Sequence, residues 1–161
     1  GRSMASASDQ DVLRLDIRKA AELCKTRENI EFQELGPIYE GYHRLESQDM
    51  AATIGDVIIA RRDMGTSYHL SVVVDDADQG VTLVTRGADL FEATPIHRVL
   101  QIALGLPTPT YVHNDLVRDD SGKRLAKRDD SRSIESYRAA GFSPDALRAR
   151  FPAEGSSLCK V

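Results

Sequence analysis

The feature that most constrains the fold is the run from Gly80 to Val117, where two short apolar stretches flank one well-marked helix. Gly80 breaks the chain, and Val81, Leu83 and Val84 follow as residue types that suit a pleated, half-buried surface. Thr94-Pro95 reads as a helix start, with an N-cap hydroxyl and a proline at the first helical position. Ile96, Val99, Leu100, Ala103 and Leu104 give that helix one apolar face, and Gly105 is a natural stop. Tyr111–Val117 reads as a last strand, with Tyr111, His113 and Asp115 on one side and Val112 on the other, although Asn114 suits a strand poorly. This order of elements from Gly80 onward predicts part of a parallel α/β sheet.

The rest of the chain is compatible with that frame. Its 161 residues are one domain's worth, and 41% hydrophobic with 29% charged residues is an ordinary globular balance. No apolar run approaches the roughly 20 residues of a bilayer span, and no secretory signal is visible, so no membrane partner is expected. A net charge of −4 argues against a nucleic-acid-coating surface but leaves room for a locally basic face. Cys24 and Cys159 stand far apart in no CxxC arrangement, which disfavours a disulfide framework or zinc site and suits a reducing cytoplasm.

Taken in order, residues 1–10 are set aside: Gly1-Arg2-Ser3-Met4 reads as a vector remnant before a starting Met, and Ala5–Gln10 as a disordered lead. A partial Rossmann-like core is expected over 11–117. Within it Leu13, Leu15 and Ile17 alternate as a strand, and Lys19–Lys25 favours a short helix. About 30–55 is irregular, read as short strands and loops forming a small insertion packed on the main sheet. Val57–Ala60 is a clearer strand. Leu70–Val74 is ambiguous: its valines favour a buried strand, while Tyr68, Ser71, Val72, Asp75 and Asp76 also fall at helical spacings. The final part, 118–161, is expected to hold a charged loop, two short helices and a loose tail. The helices are Ser133–Ala140 and one starting at Ser143-Pro144-Asp145.

Arg86-Gly87 closes the Val81–Val84 strand at its carboxyl end, where open α/β sheets bind ligands. An arginine there presents a planar fork suited to a carboxylate; the plainer alternative is a surface arginine in a weak ion pair with Asp89. Tyr68 alone is an ordinary half-buried tyrosine, and Gly122–Arg128 alone is a solvated basic turn. Asp75 and Asp76 do not define acid/base chemistry without partners. His69, beside Tyr68, is either ligand-facing or simply packed. His43, His97 and His113 show no ligand spacing, so no metal is assigned.

From about Gly55 to Gly141 the ordered blocks resemble the catalytic core of glutamyl-tRNA synthetases and of the glutamyl-Q tRNA(Asp) synthetases, both class I aminoacyl-tRNA synthetases. The blocks are Thr66–Leu90, Thr94-Pro95, Gly105-Leu106-Pro107 and Gly122–Lys127. The resemblance implies a helix over the Tyr68 block and a Val57–Ala60 strand leading to the amino-acid pocket. It implies glutamate contacts from the Tyr68 hydroxyl and from Arg86, whose fork accepts a side-chain carboxylate and rejects the neutral amide of glutamine. Asp75 and Asp76 become structural supports of the pocket wall.

Gly122-Lys123-Arg124-Leu125-Ala126-Lys127-Arg128 looks like a variant KMSKS loop, with Arg124 for the first Lys and Ala126 for the Ser. The resemblance implies ATP contacts from Lys127, Lys123 and Arg124, with Lys127 catalytic because it neutralises charge developing on the phosphates. ATP with Mg2+ is then the expected cofactor of the complete enzyme, with no zinc site in this chain.

No HIGH-type motif is present, nor G-x-G-x-x-G or G-x-x-x-x-G-K-[ST]. The expectation is therefore the second half of such a core, inactive alone in glutamate-dependent ATP–pyrophosphate exchange. About thirty residues follow the KMSKS-like loop, which favours the glutamyl-Q enzymes and tRNA(Asp) over glutamyl-tRNA synthetase proper. A non-catalytic remnant binding tRNA or another partner is the rival from a different class. An exposed sheet edge suggests a possible dimer.

Overall fold

The computed structural model describes residues 12–27, 29–118, 122, 124 and 133–150. In chain order these form β1 (Val12–Leu15), α1 (Ile17–Arg27), β2 (Ile30–Glu34) and β3 (Gly41–Leu45). A 3-10 turn over Ser47–Asp49 leads into α2 (Met50–Thr53), then β4 (Val57–Arg61), α3 (Tyr68–Asp78) and β5 (Leu83–Gly87). A 3-10 helix over Ala88–Ala93 runs into α4 (Thr94–Leu104), followed by β6 (Thr110–Asn114), α5 (Ile134–Ala139) and α6 (Pro144–Arg150).

The expected α/β architecture is present. A four-stranded sheet has the order β3-β2-β6-β5. β5 and β6 run parallel from Leu83 opposite Thr110 to Gly87 opposite Asn114, with α4 as their crossover. β2 also lies parallel to β6, and β3 pairs antiparallel with β2 from Ile30 opposite Leu45 to Glu34 opposite Gly41. β1 and β4 make a separate antiparallel pair.

Several local expectations change. The stretch about 30–55 does hold short strands, but β2 lies within the main sheet, beside β6, rather than packed on it. Its burial pattern alternates strictly, with Ile30, Phe32 and Glu34 inside, and Glu34 breaks the apolar periodicity that sequence reading relies on. Ile17 starts α1 instead of ending β1, because the Asp56 carboxylate and the Asp16 carboxylate accept from the Ile17 and Lys19 N–H groups. The 68–78 stretch is helical. Ser67 caps it by accepting from the Leu70 N–H, and α3 packs on α4 and β4.

Thr94 is not an N-cap. The preceding 3-10 helix passes straight into α4, so Ala93 occupies that position and the Thr94 hydroxyl is free for another partner. Nor does α4 bury a single stripe. Leu104 is 51% exposed, while Thr94, His97, Arg98 and Gln101 are buried alongside Val99, Leu100 and Ile102. The reason is its position between α1, β2 and α3, which covers it on several sides. Gly105 does end the helix, with the left-handed φ of 68° that a side chain would strain. β6 stops at Asn114; the Asp115 carboxylate accepts from the Leu116 N–H and turns the chain outward.

The apolar core gathers Ile17, Ala20, Ala21 and Cys24 of α1 with Ile30, Met50, Val99 and Ile102. Burying such side chains is the main favourable term in holding β2, α1 and α4 together. Among the described residues no helix is long and apolar enough to cross a membrane.

Candidate functional site

Arg86 sits in the last turn of the parallel ladder, one residue before the carboxyl end of β5, paired with His113 of β6. Its side chain lies between β6 and the start of α4, where three neutral groups receive it. Its Nε–H donates to His113 Nε2 at 2.9 Å, its Nη1–H to His97 Nδ1 at 3.0 Å, and its Nη2–H to Thr94 Oγ1 at 2.7 Å. The guanidinium carbon lies 5.2 Å from the centre of the Tyr111 ring, a cation–π distance. Three of five N–H bonds are thus committed.

Because Arg86 has donors only, it fixes the protonation of the rings around it. His113 must present a bare Nε2, so its proton is on Nδ1, which faces Glu34 Oε2 at 2.5 Å. The other Glu34 oxygen accepts from the backbone N–H of His113 at 2.8 Å and of Gly36 at 2.6 Å. By the same logic His97 has a bare Nδ1, and its Nε2–H donates to His69 Nδ1 at 3.0 Å. Two chains of hydrogen bonds therefore leave the guanidinium, one ending on a buried carboxylate and one on α3.

The electrostatics agree with this assignment. Burial pushes the Glu34 carboxyl up, yet the His113 side chain and backbone and the Gly36 N–H outweigh it and hold the group below the ordinary carboxylate range. Burial, with Arg86 opposing rather than assisting protonation, lowers His113 despite Glu34. The Glu34–His113 contact is accordingly a carboxylate hydrogen-bonded to a neutral ring, not an ion pair. His97 falls from the ordinary 6.5 to about 3, first by burial and then by the Arg86 charge. His69 falls for the same two reasons. On α3, burial raises the Asp76 carboxyl against the pull of Arg86.

Gly36 is what lets β2 reach this cluster. A Cβ there would lie 2.5 Å from the His113 carbonyl oxygen and 2.6 Å from both the His113 nitrogen and Glu34 Oε1. No side chain larger than hydrogen fits without moving backbone.

The structure brings Tyr68, His69 and Arg86 into one neighbourhood. The Tyr68 ring stands edge-on to His69 and His97, with centroids at 5.7 and 5.9 Å, and is 52% exposed. The ion pair between Arg86 and Asp89 is not formed: Asp89 instead binds Arg124 Nη1 at 2.8 Å. That contact joins the basic loop to the exit of β5, and Arg118 reinforces it by donating to the Gly122 carbonyl oxygen. Lys123 and Lys127 lie outside the described residues.

Sequence reading missed His97, His113, Thr94 and Glu34. The signals were present in part. Tyr111 and His113 alternate onto one side of β6, and His97 lies within the first turn after Thr94-Pro95. What was lacking was any spacing that ties residues 34, 86, 97 and 113 together, since only the sheet order does so.

A crossover of parallel strands with an arginine at its carboxyl end defines an open α/β core, an architecture in which ligands generally bind at the strand ends. The family model described as tRNA synthetases class I (E and Q), catalytic domain, matches residues 3–158, and the chain belongs to that family. The glutamyl-Q tRNA(Asp) synthetase of Rhodobacter capsulatus is 61% identical over 117 residues, covering 73% of this chain and 42% of that protein. That of Xanthomonas axonopodis pv. citri is 50% identical over 110 residues, covering 62% of this chain and 37% of that protein. Among solved structures, a glutamate tRNA ligase from Elizabethkingia meningosepticum, in complex with its amino acid, aligns with a TM-score of 0.50. It is 25% identical over 64% of this chain and 19% of its own. The chain spans about two-fifths of the length of the curated relatives it matches.

Proposed function

We propose that these residues form the glutamate side of a catalytic site in which glutamate is activated with ATP and passed to tRNA, with tRNA(Asp) as acceptor. The observation that carries the reading is the state of Arg86. Its guanidinium is oriented by His113, His97 and Thr94, none of which carries compensating charge, and two N–H bonds remain beyond those contacts. A fixed cation without a directly bonded carboxylate at the carboxyl end of parallel strands suits an anionic ligand group. Glutamate's side chain supplies that charge and glutamine's does not.

Tyr68, half-exposed beside His69 and His97, is the proposed second contact to the amino acid. Lys127, Lys123 and Arg124 are the proposed ATP contacts, with Lys127 offsetting charge that develops on the phosphates. The Arg124–Asp89 pair supports this by holding the start of the loop near β5. Among the described residues no three His, Cys, Asp or Glu side chains converge on a metal position, so no ligand of the Mg2+ accompanying ATP is assigned. The names of the relatives support tRNA(Asp), and cytoplasmic action would follow from that substrate.

Calorimetric titration of the chain with L-glutamate and with L-glutamine tests the reading. Glutamate is expected to bind at least about tenfold more tightly, a preference that Arg86→Ala removes. Equal affinity for the two amino acids, or glutamate binding that survives Arg86→Ala, overturns it.

A further inference from the structure

We propose that His97 and His113 are positioning residues that hold the Arg86 fork from two sides, each through one obligatory neutral tautomer. The donor-only guanidinium leaves no alternative: His113 accepts at Nε2 and donates from Nδ1 to Glu34, whereas His97 accepts at Nδ1 and donates from Nε2 to His69. The two rings are inverted with respect to Arg86. One is anchored on β2 through the fully buried Glu34, the other on α3 through His69. Thr94 closes the third side. Doubly protonating either ring would set an N–H against the guanidinium and break the hold. Groups facing the cluster are Glu34 of β2, His43 of β3, His69 and Asp76 of α3, His97 of α4, and Tyr111 and His113 of β6.

Positioning matters because a fork recognises a carboxylate only when its plane and edge are fixed before the ligand arrives. Neutral acceptors fix the plane without cancelling the charge. A carboxylate in the place of either ring would hold Arg86 equally well and weaken its attraction for an anionic ligand. The bearing on glutamate rests on the reading of Arg86 proposed above; the hold on the guanidinium does not.

The inversion supplies the test. An Asn amide reaches about where Nδ1 of a histidine lies, and a Gln amide about where Nε2 lies. At position 97 the Arg86 acceptor is Nδ1, so His97→Asn should preserve the hold and His97→Gln should lose it. At position 113 the acceptor is Nε2, so His113→Gln should preserve it and His113→Asn should lose it. Two readouts on the full chain are used: separate Nη resonances of Arg86, which report a guanidinium that does not rotate, and the affinity for L-glutamate.

Separate resonances are expected in the wild type, His97→Asn and His113→Gln, with glutamate affinity within about threefold of wild type. Averaged resonances and a loss of about tenfold to a hundredfold are expected in His97→Gln and His113→Asn. Asn and Gln behaving alike at position 97, or an already rotating guanidinium in the wild type, overturns the proposal. Should the His113 variants fail to fold, as thermal melts would reveal, the position 97 pair decides alone. If the resonances follow the inverted pattern while glutamate does not bind, the positioning role stands and the glutamate reading of Arg86 fails.

Discussion

The two sides of α4 are built on opposite principles. Toward α1 it presents Val99 and Ile102 to Ile17, Ala20, Ala21, Cys24, Ile30 and Met50. Toward the end of the parallel strands it presents Thr94 and His97 to Arg86, while Arg98 donates to the Glu31 carbonyl and Gln101 donates to the Tyr111 hydroxyl. Both sides are buried, so exposure does not separate them. The apolar side is satisfied by packing any residues of suitable volume, whereas the polar side is satisfied only by specific donors meeting specific acceptors. One side stabilises the fold, and the other holds a cation in a set orientation.

Substitutions on each side sharpen that contrast. The largest expected effect is on the apolar side: Ile30→Ala or Met50→Ala should lower stability by about 2–5 kcal/mol in urea unfolding, while the Arg86 Nη resonances keep their positions. A change in those resonances would mean that the two sides are not independent. Next, Glu34→Gln places an amide N–H against donors in a fully buried site and should cost about 1.5–3 kcal/mol, this time with loss of the separate resonances.

Acidity should distinguish the sides a third way. His97 in the fold titrates near 3 against the ordinary 6.5, so the unfolded chain binds its proton first. Stability attributable to His97 is complete above about pH 6.5 and is lost as pH falls toward about 3, by up to about 1.4 kcal/mol per pH unit. His69 and His113, also lowered, act in the same direction. Glu34 adds to the loss only below the ordinary carboxylate value of 4.5, because its folded value is lower still. His97→Asn should therefore flatten the slope measured between pH 7 and 5, and an unchanged slope would remove His97 from the account. The smallest effect belongs to the exposed Asp89–Arg124 pair: Arg124→Ala should change stability by about 0–1 kcal/mol and respond to salt.

Legibility in the sequence followed the same division. β5 with Arg86 near its carboxyl end, α4 with its Gly105 stop, and the capped helices α5 and α6 were readable, because local caps, breaks and periodicity specify them. Thr94 was misread for an instructive reason. A threonine before proline has the look of an N-cap, but the 3-10 helix ahead of it makes it helical and releases its hydroxyl to Arg86. Asp89 was the obvious partner for Arg86 by proximity in the chain, yet it turns to Arg124, thirty-five residues away.

What the sequence determined by itself was an α/β core with an arginine at a strand's carboxyl end and a family whose motifs run in order along the chain. Only the tertiary structure decided what surrounds that arginine. Pairing β2 with β6 brings Glu34 to His113, and laying α4 across the sheet brings His97 and Thr94 to the fork. Those contacts join residues up to seventy-nine positions apart. No local pattern encodes them, because the hydrogen-bond needs of a buried histidine or glutamate are met by whichever strand the topology sets beside it.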